Sequence, residues 1–438
     1  MNLAGRLQLA AALLLTSCRP SPSPAPVQPA AAGPTASPAP SSTPAPKPPS
    51  RSPRTQAELP TTDPGIAVGN FLGLYDVTRK ADAAHPKDKP PAALIGLLSS
   101  HAQFFGVLDD YARAVAAADR LVALAPSAPE AYLARAGARQ ALHLFDGALA
   151  DLERAEALGA DRDDVAGTRA GIAQARGRLD EALALREAAR GKRETTQTLT
   201  AVALVLGDMG RAREADALFV RAQDLYADVS PFTLAWLYFQ EGLLAERNGL
   251  GPSAQALYAA AHERLPIYAP AAGHLAAMLA ARGERARAIE LLEPIASVSD
   301  DPEYWGQLGA LLIEDGQAER GQALVDRARK RYDELVRRWP AAFADHAARF
   351  WLGAGADPRR ARALAAQNLA ARPTRDAYLL VLDAAEAAHD AAAACAAADK
   401  ALTLPYPTAL LHLRAGKAFG RCGQAARAEA ELARASAP

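Results

Sequence analysis

The 438-residue chain has few of the residues that usually build a large core. Aromatic residues make up 6% of it, and it holds three cysteines and three methionines, although half of all residues are hydrophobic. Much of the hydrophobic share is alanine, which removes little apolar area from water when it is buried. We therefore expect stability to come from close contact between helices rather than from large side chains.

The chain also lacks net charge. Its 49 basic and 49 acidic side chains cancel, so no overall field draws the molecule towards a polyanion. The charges beyond residue 63 are dispersed along the chain. We expect no nucleic-acid partner.

Sequence patterns that carry chemistry are missing as well. The histidines are scattered, and none has a second histidine three or four residues away, the spacing of metal ligands on a helix. Gly191-Lys192 lacks the upstream glycine and the downstream serine or threonine of a phosphate-binding loop. We predict no catalytic residue, no metal and no cofactor. The eight histidines are His85, His101, His143, His262, His274, His346, His389 and His412.

The first residues have the features of an export signal. Arg6 precedes an apolar run from Leu7 to Leu15 that is too short to span a membrane. The run ends in Leu-Thr-Ser before Cys18, which resembles a bacterial lipobox. That resemblance implies a signal peptide over residues 1–17 and a lipidated Cys18, and Arg19 after it favours the outer membrane. The alternative is an ordinary cleaved signal with a chance cysteine.

A proline-rich stretch follows the signal. Residues 18–63 are rich in proline, alanine and serine and have no apolar period, which predicts a disordered tether. The minority alternative is an arm that crosses the cell wall or binds a partner. Residues 64–91 read as a capping helix and a charged loop.

From residue 92 onward the chain repeats. A small residue recurs at intervals of 33 or 34 residues, with two longer intervals of 39 and 40. A second small residue stands twelve positions before most of them, and turn glycines fall at a constant phase between the two. Such spacing predicts helical hairpins that bury their faces only by stacking. The recurring residues are Ala114, Ala148, Ala182, Ala215, Ala254, Ala288, Gly321, Ala361, Ala394 and Ala428.

The pattern resembles the tetratricopeptide repeat. The copy at Asp301–Arg329 carries Trp305, Leu308, Gly309 and Leu312 at the family's positions. The resemblance implies an all-α, right-handed α-solenoid of about ten hairpins. The alternative is an irregular alanine-rich helical bundle.

Two features depart from the repeat. Arg186 stands where a bulky apolar residue belongs, and Arg349 stands where a small one belongs. The two long intervals predict bends and an extended helix over Gln317–Trp339. We divide the array into residues 92–229, with repeats one to four, 230–339, with repeats five to seven, and 340–438, with repeats eight to ten.

Two cysteines remain besides Cys18. Cys395 begins the second helix of the ninth copy, and Cys422 ends the first helix of the tenth. These helices are adjacent and antiparallel in such an array, so a disulfide between them is geometrically reasonable. The alternative is two buried thiols that act as small hydrophobic groups.

The most aromatic stretch is Phe232–Leu244. Trp236, Phe239 and Leu243 share one helical face and are candidates for partner binding if that face is concave. The alternative is that they belong to the core. The asparagine line of the family's groove for acidic peptide tails is absent, which argues against a chaperone-tail function. That line is occupied by Gly137, Gly171, Leu204, Leu243 and Ala277.

The function expected from these features is a non-catalytic envelope lipoprotein that binds protein or peptide partners. It would lie in the periplasm or at the cell surface, in outer-membrane, secretion or pilus, or cell-wall complex assembly. Two alternatives from other classes stay open: the regulatory superhelix of a cell-wall enzyme, and a small-ligand or lipid carrier that uses the inner wall.

Overall fold

A computed structural model describes residues 52–91 and 93–436 of the chain. Those residues form twenty-one α-helices and no strand. No helix among them is both long enough and apolar enough to cross a membrane. The signal peptide, Cys18 and most of the predicted tether lie outside the described residues.

The helices form ten hairpins after one leading helix, which confirms the α-solenoid of tetratricopeptide-like repeats. Each hairpin pairs an even-numbered helix with the odd-numbered one that follows it. The helices are α1 Pro64–Ala84, α2 Leu94–Phe105, α3 Asp109–Leu124, α4 Pro129–Ala141, α5 Phe145–Ala157, α6 Arg162–Ala175, α7 Leu179–Lys192, α8 Thr196–Asp208, α9 Ala212–Asp224, α10 Pro231–Arg247, α11 Gly251–Arg264, α12 Ala269–Ala281, α13 Arg285–Val298, α14 Pro302–Glu314, α15 Ala318–Arg338, α16 Pro340–Leu352, α17 Pro358–Ala371, α18 Arg375–Ala387, α19 Ala391–Ala401, α20 Ala409–Arg421 and α21 Ala425–Ala435.

Local sequence explains where these helices begin and end. The Asp301 side chain accepts a hydrogen bond from the Glu303 amide at the start of α14, and Pro302 occupies the first helical position, where its missing N–H costs nothing. Turn glycines such as Gly316 adopt a positive φ, 87° in this case, which side-chain-bearing residues rarely adopt. These two signals recur along the array and set its period.

The small residues of the repeat lie where paired helices touch. All ten of the recurring residues are buried. The helices α14 and α15 approach each other closely, because a Cβ built on Gly309 would lie 2.8 Å from the Gly321 carbonyl oxygen. This contact explains why the seventh copy has glycine where the other nine have alanine.

The structure locates the extra residues of the long intervals. The helix α15 is extended, as predicted for Gln317–Trp339. The turn of the eighth hairpin accounts for part of the interval of 40 residues. It holds five residues, 353–357, where the other nine turns hold three. The small position of that hairpin is therefore filled by Ala347, which is 0% exposed. The assignment of Arg349 to that position is wrong.

The predicted boundaries of the repeat blocks fall at connections. Residue 229 lies in the six-residue link between α9 and α10, and Trp339 is the single residue between α15 and α16. Part of the interval of 39 residues lengthens α10, which has 17 residues where most first helices have 13. The predicted bends at these points stay a prediction.

The solenoid winds into a superhelix in which one turn contacts the next. The turn of the first hairpin meets the link between α13 and α14. The Gly106 carbonyl accepts hydrogen bonds from the Ser299 hydroxyl at 2.7 Å and from the Asp300 amide at 3.2 Å. The Asp300 carboxylate accepts from the Leu108 amide and pairs with Arg331.

The second and third hairpin turns and the last residue of α8 continue this row of contacts, which we call the seam. Each meets a residue in or beside the link that precedes a first helix of the second superhelical turn. The offset between partners is five to six hairpins throughout, so the contacts follow one line. The further seam pairs are His143 with Ala341, Gly177 with Pro373, and Asp208 with Arg375.

The segment before α1 corrects the predicted tether. The Arg54 carbonyl accepts hydrogen bonds from Tyr238 and Arg264, each at 3.1 Å. The Thr62 amide donates to the Val229 carbonyl at 2.7 Å. Residues 52–63 therefore pack on the fourth and fifth hairpins, and the expectation that the tether runs freely to residue 63 is wrong.

Candidate functional site

A cavity of about 80 Å³ lies where the two superhelical turns meet. The first turn contributes the ends of α6, α8 and α10, through Gln174, Asp208 and Arg247. The second turn contributes α16, the end of α17, the start of α18 and the link before α20. Its lining from the second turn includes Asp345, Arg349, Asn368, Arg372, Thr374, Arg375, Asp376, Leu404 and Pro405.

The seam positions both walls of this cavity. The Arg375 guanidinium donates to the Asp208 carbonyl at 2.6 Å and so joins the start of α18 to the end of α8. A Cβ built on Gly177 would lie 3.1 Å from the Pro373 carbonyl oxygen. The cavity exists only when both superhelical turns are folded and in contact.

Most charged groups of the cavity have partners. Arg372 donates to the Asp345 carboxylate at 2.5 Å, and Arg247 pairs with Asp208 at 2.9 Å. Burial on its own would raise the pKa of Asp345, but Arg372 and His346 hold it well below its usual range. Asp345 is thus a fixed negative charge that Arg372 balances.

Arg349 differs from these residues. It lines the cavity, yet its guanidinium makes no hydrogen bond or ion pair with any residue that the structure describes. Burial lowers its pKa, against the opposing effect of Asp345. Its charge is balanced at longer range by Asp345, Asp383 and Glu303 rather than by a direct ion pair.

A polar network continues behind Asp345. His346 contacts Glu303 at 3.2 Å. Burial would lower the pKa of His346, but Asp345 and Glu303 outweigh it and raise that pKa to about 9. His143 reaches this region across the seam, and burial and Arg372 lower its pKa to about 3. Among the described residues, no group of histidine, cysteine or acidic side chains is arranged to hold a metal.

The structure places the predicted partner-binding residues in the core. Trp236, Phe239 and Leu243 are 6%, 1% and 3% exposed. The Phe239 ring packs against Tyr258 and Tyr268, with ring centroids 5.7 and 5.3 Å apart. The alternative of a core role is correct, since the fifth and sixth hairpins supply the rings that cover Phe239. These three residues are not part of the site.

The cysteine pair lies far along the array from the aromatic helix. The structure joins Cys395 in α19 to Cys422 at the end of α20 in a disulfide, with Cα atoms 6.6 Å apart. That separation lies within the range of ordinary disulfides. The bond fastens the ninth hairpin to the tenth. Cys18, the predicted lipidation site, lies outside the described residues.

Sequence reasoning missed the cavity. With the register corrected, Arg349 does not occupy a packing position, so it did not break the repeat. Arg186 does break it and is 7% exposed, with no hydrogen-bond partner for its Nε atom among the described residues. Arg186 does not line the cavity, so neither charge pointed to it.

Comparisons with known proteins match the fold weakly. No family model and no curated protein matches the chain. The crystal structure of MamA is 17% identical, covers 38% of this chain and 96% of its own, and has a TM-score of 0.32. A tetratricopeptide repeat protein from Parabacteroides merdae is 17% identical over 55% of this chain and 91% of its own, with a TM-score of 0.32.

A third solved structure covers more of the chain. The Cut9–Hcn1 hetero-tetramer of the APC/C is 13% identical over 83% of this chain and 78% of its own, with a TM-score of 0.41. Similarities of this size say nothing about what this chain binds.

Proposed function

We propose that this protein is a non-catalytic scaffold that binds a protein or peptide partner and is anchored to the cell envelope by a lipid on Cys18. One observation carries the scaffold role. The helices from Pro64 to Ala435 form a single solenoid, which leaves no separate catalytic domain among the described residues. Solenoids present long continuous surfaces to partners.

The proposal places the solenoid on the outer membrane rather than the inner one, in the periplasm or at the cell surface. There it would serve outer-membrane, secretion or pilus, or cell-wall complex assembly. The lipobox-like run Leu15–Cys18 supports the anchor, and Arg19 supports the outer membrane over the inner one.

The anchor is tested by substituting Cys18→Ser and following the protein through membrane fractionation. We expect the wild type in the outer-membrane fraction and in the detergent phase of a two-phase extraction, and the variant in the soluble fraction. Separation of the outer and inner membranes on a density gradient shows which of the two carries the protein. Equal partitioning of wild type and variant would refute the lipid anchor.

The partner is tested by photocrosslinking from the cavity rim. A photoreactive residue at the exposed Pro405 should yield a discrete adduct in intact cells, whereas the same residue at the exposed Arg359 on α17 serves as the matched control. Mass spectrometry of the adduct then identifies the partner. Absence of any adduct at position 405 would count against a partner at this face.

A further inference from the structure

We propose that residues 52–63, which we call the docked segment, occupy a peptide-binding site on the solenoid, and that a partner peptide with the same short turn displaces them. The segment lies against the fourth and fifth hairpins without forming a helix. The inference goes beyond the scaffold role, because none of the groups that hold the segment lines the cavity between the superhelical turns.

The solenoid holds the docked segment largely by its main chain. The Arg264 guanidinium donates hydrogen bonds to the carbonyls of Arg54 and Leu59. The Tyr238 hydroxyl also donates to the Arg54 carbonyl, at 3.1 Å. The Thr62 amide donates at 2.7 Å to a carbonyl of the link between α9 and α10. Every peptide has such carbonyl and amide groups, so these contacts do not depend on this particular sequence.

The two donor side chains of the site are buried beneath the docked segment. Arg264 and Tyr238 are 4% and 0% exposed, and the guanidinium lies 5.9 Å from the centroid of the tyrosine ring. Loss of the docked segment would take these acceptors from both groups, which costs free energy unless another acceptor enters. A second peptide with two carbonyls at the same spacing restores the bonds.

The docked segment keeps its turn by contacts of its own. The Thr55 amide donates to the Glu58 carboxylate at 2.8 Å, and the Glu58 amide donates back to the Thr55 hydroxyl at 3.4 Å. The Leu59 amide closes the turn on the Thr55 carbonyl at 3.0 Å. This reciprocal pair is the capping box found at helix starts. None of the three bonds involves the solenoid, so a free peptide with these residues can form the same turn.

The hold on the docked segment is weak. Residues 55–58 are exposed, and Leu59 is the one long aliphatic side chain of the segment that packs on the core. Arg54 pairs with Asp224, but the two side chains are 34% and 50% exposed, and ion pairs this open to water contribute little. A segment held in this way exchanges with a competitor.

These contacts define the chemistry of the competing peptide. A basic residue lies opposite Asp224, a four-residue turn that begins with threonine or serine and ends with glutamate follows, and leucine comes next. The carbonyls of the basic residue and of the leucine supply the two acceptors that Arg264 needs. A partner protein with this motif in an exposed loop binds by taking the place of the docked segment.

The test adds a fluorescent peptide of residues 52–63 to the full-length protein, purified in detergent, and follows its anisotropy. In the wild type the tethered segment competes at an effective concentration in the millimolar range, so the peptide should bind weakly. The double substitution Arg54→Ala with Leu59→Ala weakens the tethered segment and leaves the solenoid side unchanged. We expect it to raise the affinity for the peptide by at least about tenfold, since partial burial of a leucine contributes about that factor.

Two tyrosine variants, each made in the weakened-segment protein, separate this site from non-specific binding. Tyr238→Phe removes the hydroxyl that donates to the segment and should lower the affinity about fivefold. Tyr226→Phe is the matched control, because Tyr226 is 8% exposed and its hydroxyl donates within the solenoid, to the Ser230 carbonyl. It should leave the affinity unchanged.

A peptide with Leu59→Ala should bind the weakened-segment protein at least about tenfold more weakly than the original peptide. This comparison needs no change in the solenoid, so it decides the question even where Tyr238→Phe lowers the melting temperature.

Three results would overturn the proposal: no saturable peptide binding to the weakened-segment protein, equal affinity of that protein and the wild type, or equal binding of the two peptides. None of them bears on the crosslinking test at position 405, so this site and the scaffold role can fail separately.

Discussion

The hairpin turns of the first superhelical turn and those of the later hairpins share one conformation but differ in surroundings. Gly177 and Gly316 have φ angles of 75° and 87°. A Cβ built on Gly177 would meet the Pro373 carbonyl, whereas one on Gly316 would meet nothing within 4 Å. The same turn is therefore a contact surface in the third hairpin and a free edge in the seventh.

The histidine turns repeat this comparison without glycine. His143 in the second hairpin and His389 in the ninth both have a φ of 54°. His143 contacts the Ala341 carbonyl at 2.8 Å across the seam, and His389 is exposed. Local sequence thus determines how each turn bends, and superhelical closure determines which turns are buried. The seam can be tested one matched pair at a time.

The largest difference should separate Gly106→Ala from Gly283→Ala. Both substitutions place a side chain at positive φ, which costs about 1–2 kcal/mol. At Gly106 the new Cβ would also lie 2.5 Å from the Ser299 hydroxyl and 3.1 Å from the Tyr304 ring, which adds about 1–3 kcal/mol of overpacking. Denaturant unfolding should show about 3 kcal/mol or more lost at Gly106 and about 1–2 at Gly283. Equal losses would mean that the first turn is not docked.

A smaller difference should separate Gly177→Ala from Gly316→Ala. The clash at Gly177 is with a backbone oxygen at 3.1 Å, which can move by a few tenths of an ångström. We expect about 2–3 kcal/mol lost at Gly177 against about 1–2 at Gly316. Hydrogen exchange at the start of α18 checks whether the seam opens locally.

The repeats were predictable because their signals are local. Ala215 and Ala254 mark second helices, Gly210 and Gly249 mark turns, and each depends on neighbours within one hairpin. The disulfide between adjacent helices followed from the same register. The contact between superhelical turns was not predictable. Gly177 and Pro373 are separated by five hairpins, and neither residue has a sequence pattern that identifies the other as its partner.

The errors have separate and more local causes. Trp236 and Phe239 have the composition of an exposed aromatic patch, but the packing of the fifth and sixth hairpins makes them core. Arg349 was assigned from a turn length common to the other hairpins, and the two additional residues at 353–357 moved the register.

Acid should weaken the seam at His143. Burial, followed by the charge of Arg372, lowers the pKa of His143 to about 3, and the unfolded value is 6.5. The folded chain binds a proton less readily, so the stability contributed by neutral His143 is present above pH 6.5 and is lost as pH falls towards 3. At pH 5 the loss is on the order of 2 kcal/mol. Asp345 and His346 also face this ring, so their responses must be subtracted.

The subtraction uses His143→Asn, since asparagine tolerates positive φ. Between pH 7 and pH 5 the wild type should lose about 2 kcal/mol more of its unfolding free energy than His143→Asn does. His389→Asn should follow the wild-type curve. Parallel curves for all three proteins would show that His143 is not the group that titrates.

The smallest effect is expected for the same two variants at pH 7. His143→Asn removes the hydrogen bond to the Ala341 carbonyl and part of the packing on Phe145, whose ring centroid lies 5.2 Å from that of His143. A net hydrogen bond contributes about 1 kcal/mol, so we expect a loss of about 1–2 kcal/mol, against less than about 0.5 for His389→Asn at an exposed turn. Because both positions keep the same backbone angle, the difference between the variants measures the seam contact alone. A loss at His389 equal to that at His143 would place the cost in the turn itself and would remove the distinction between buried and free turns.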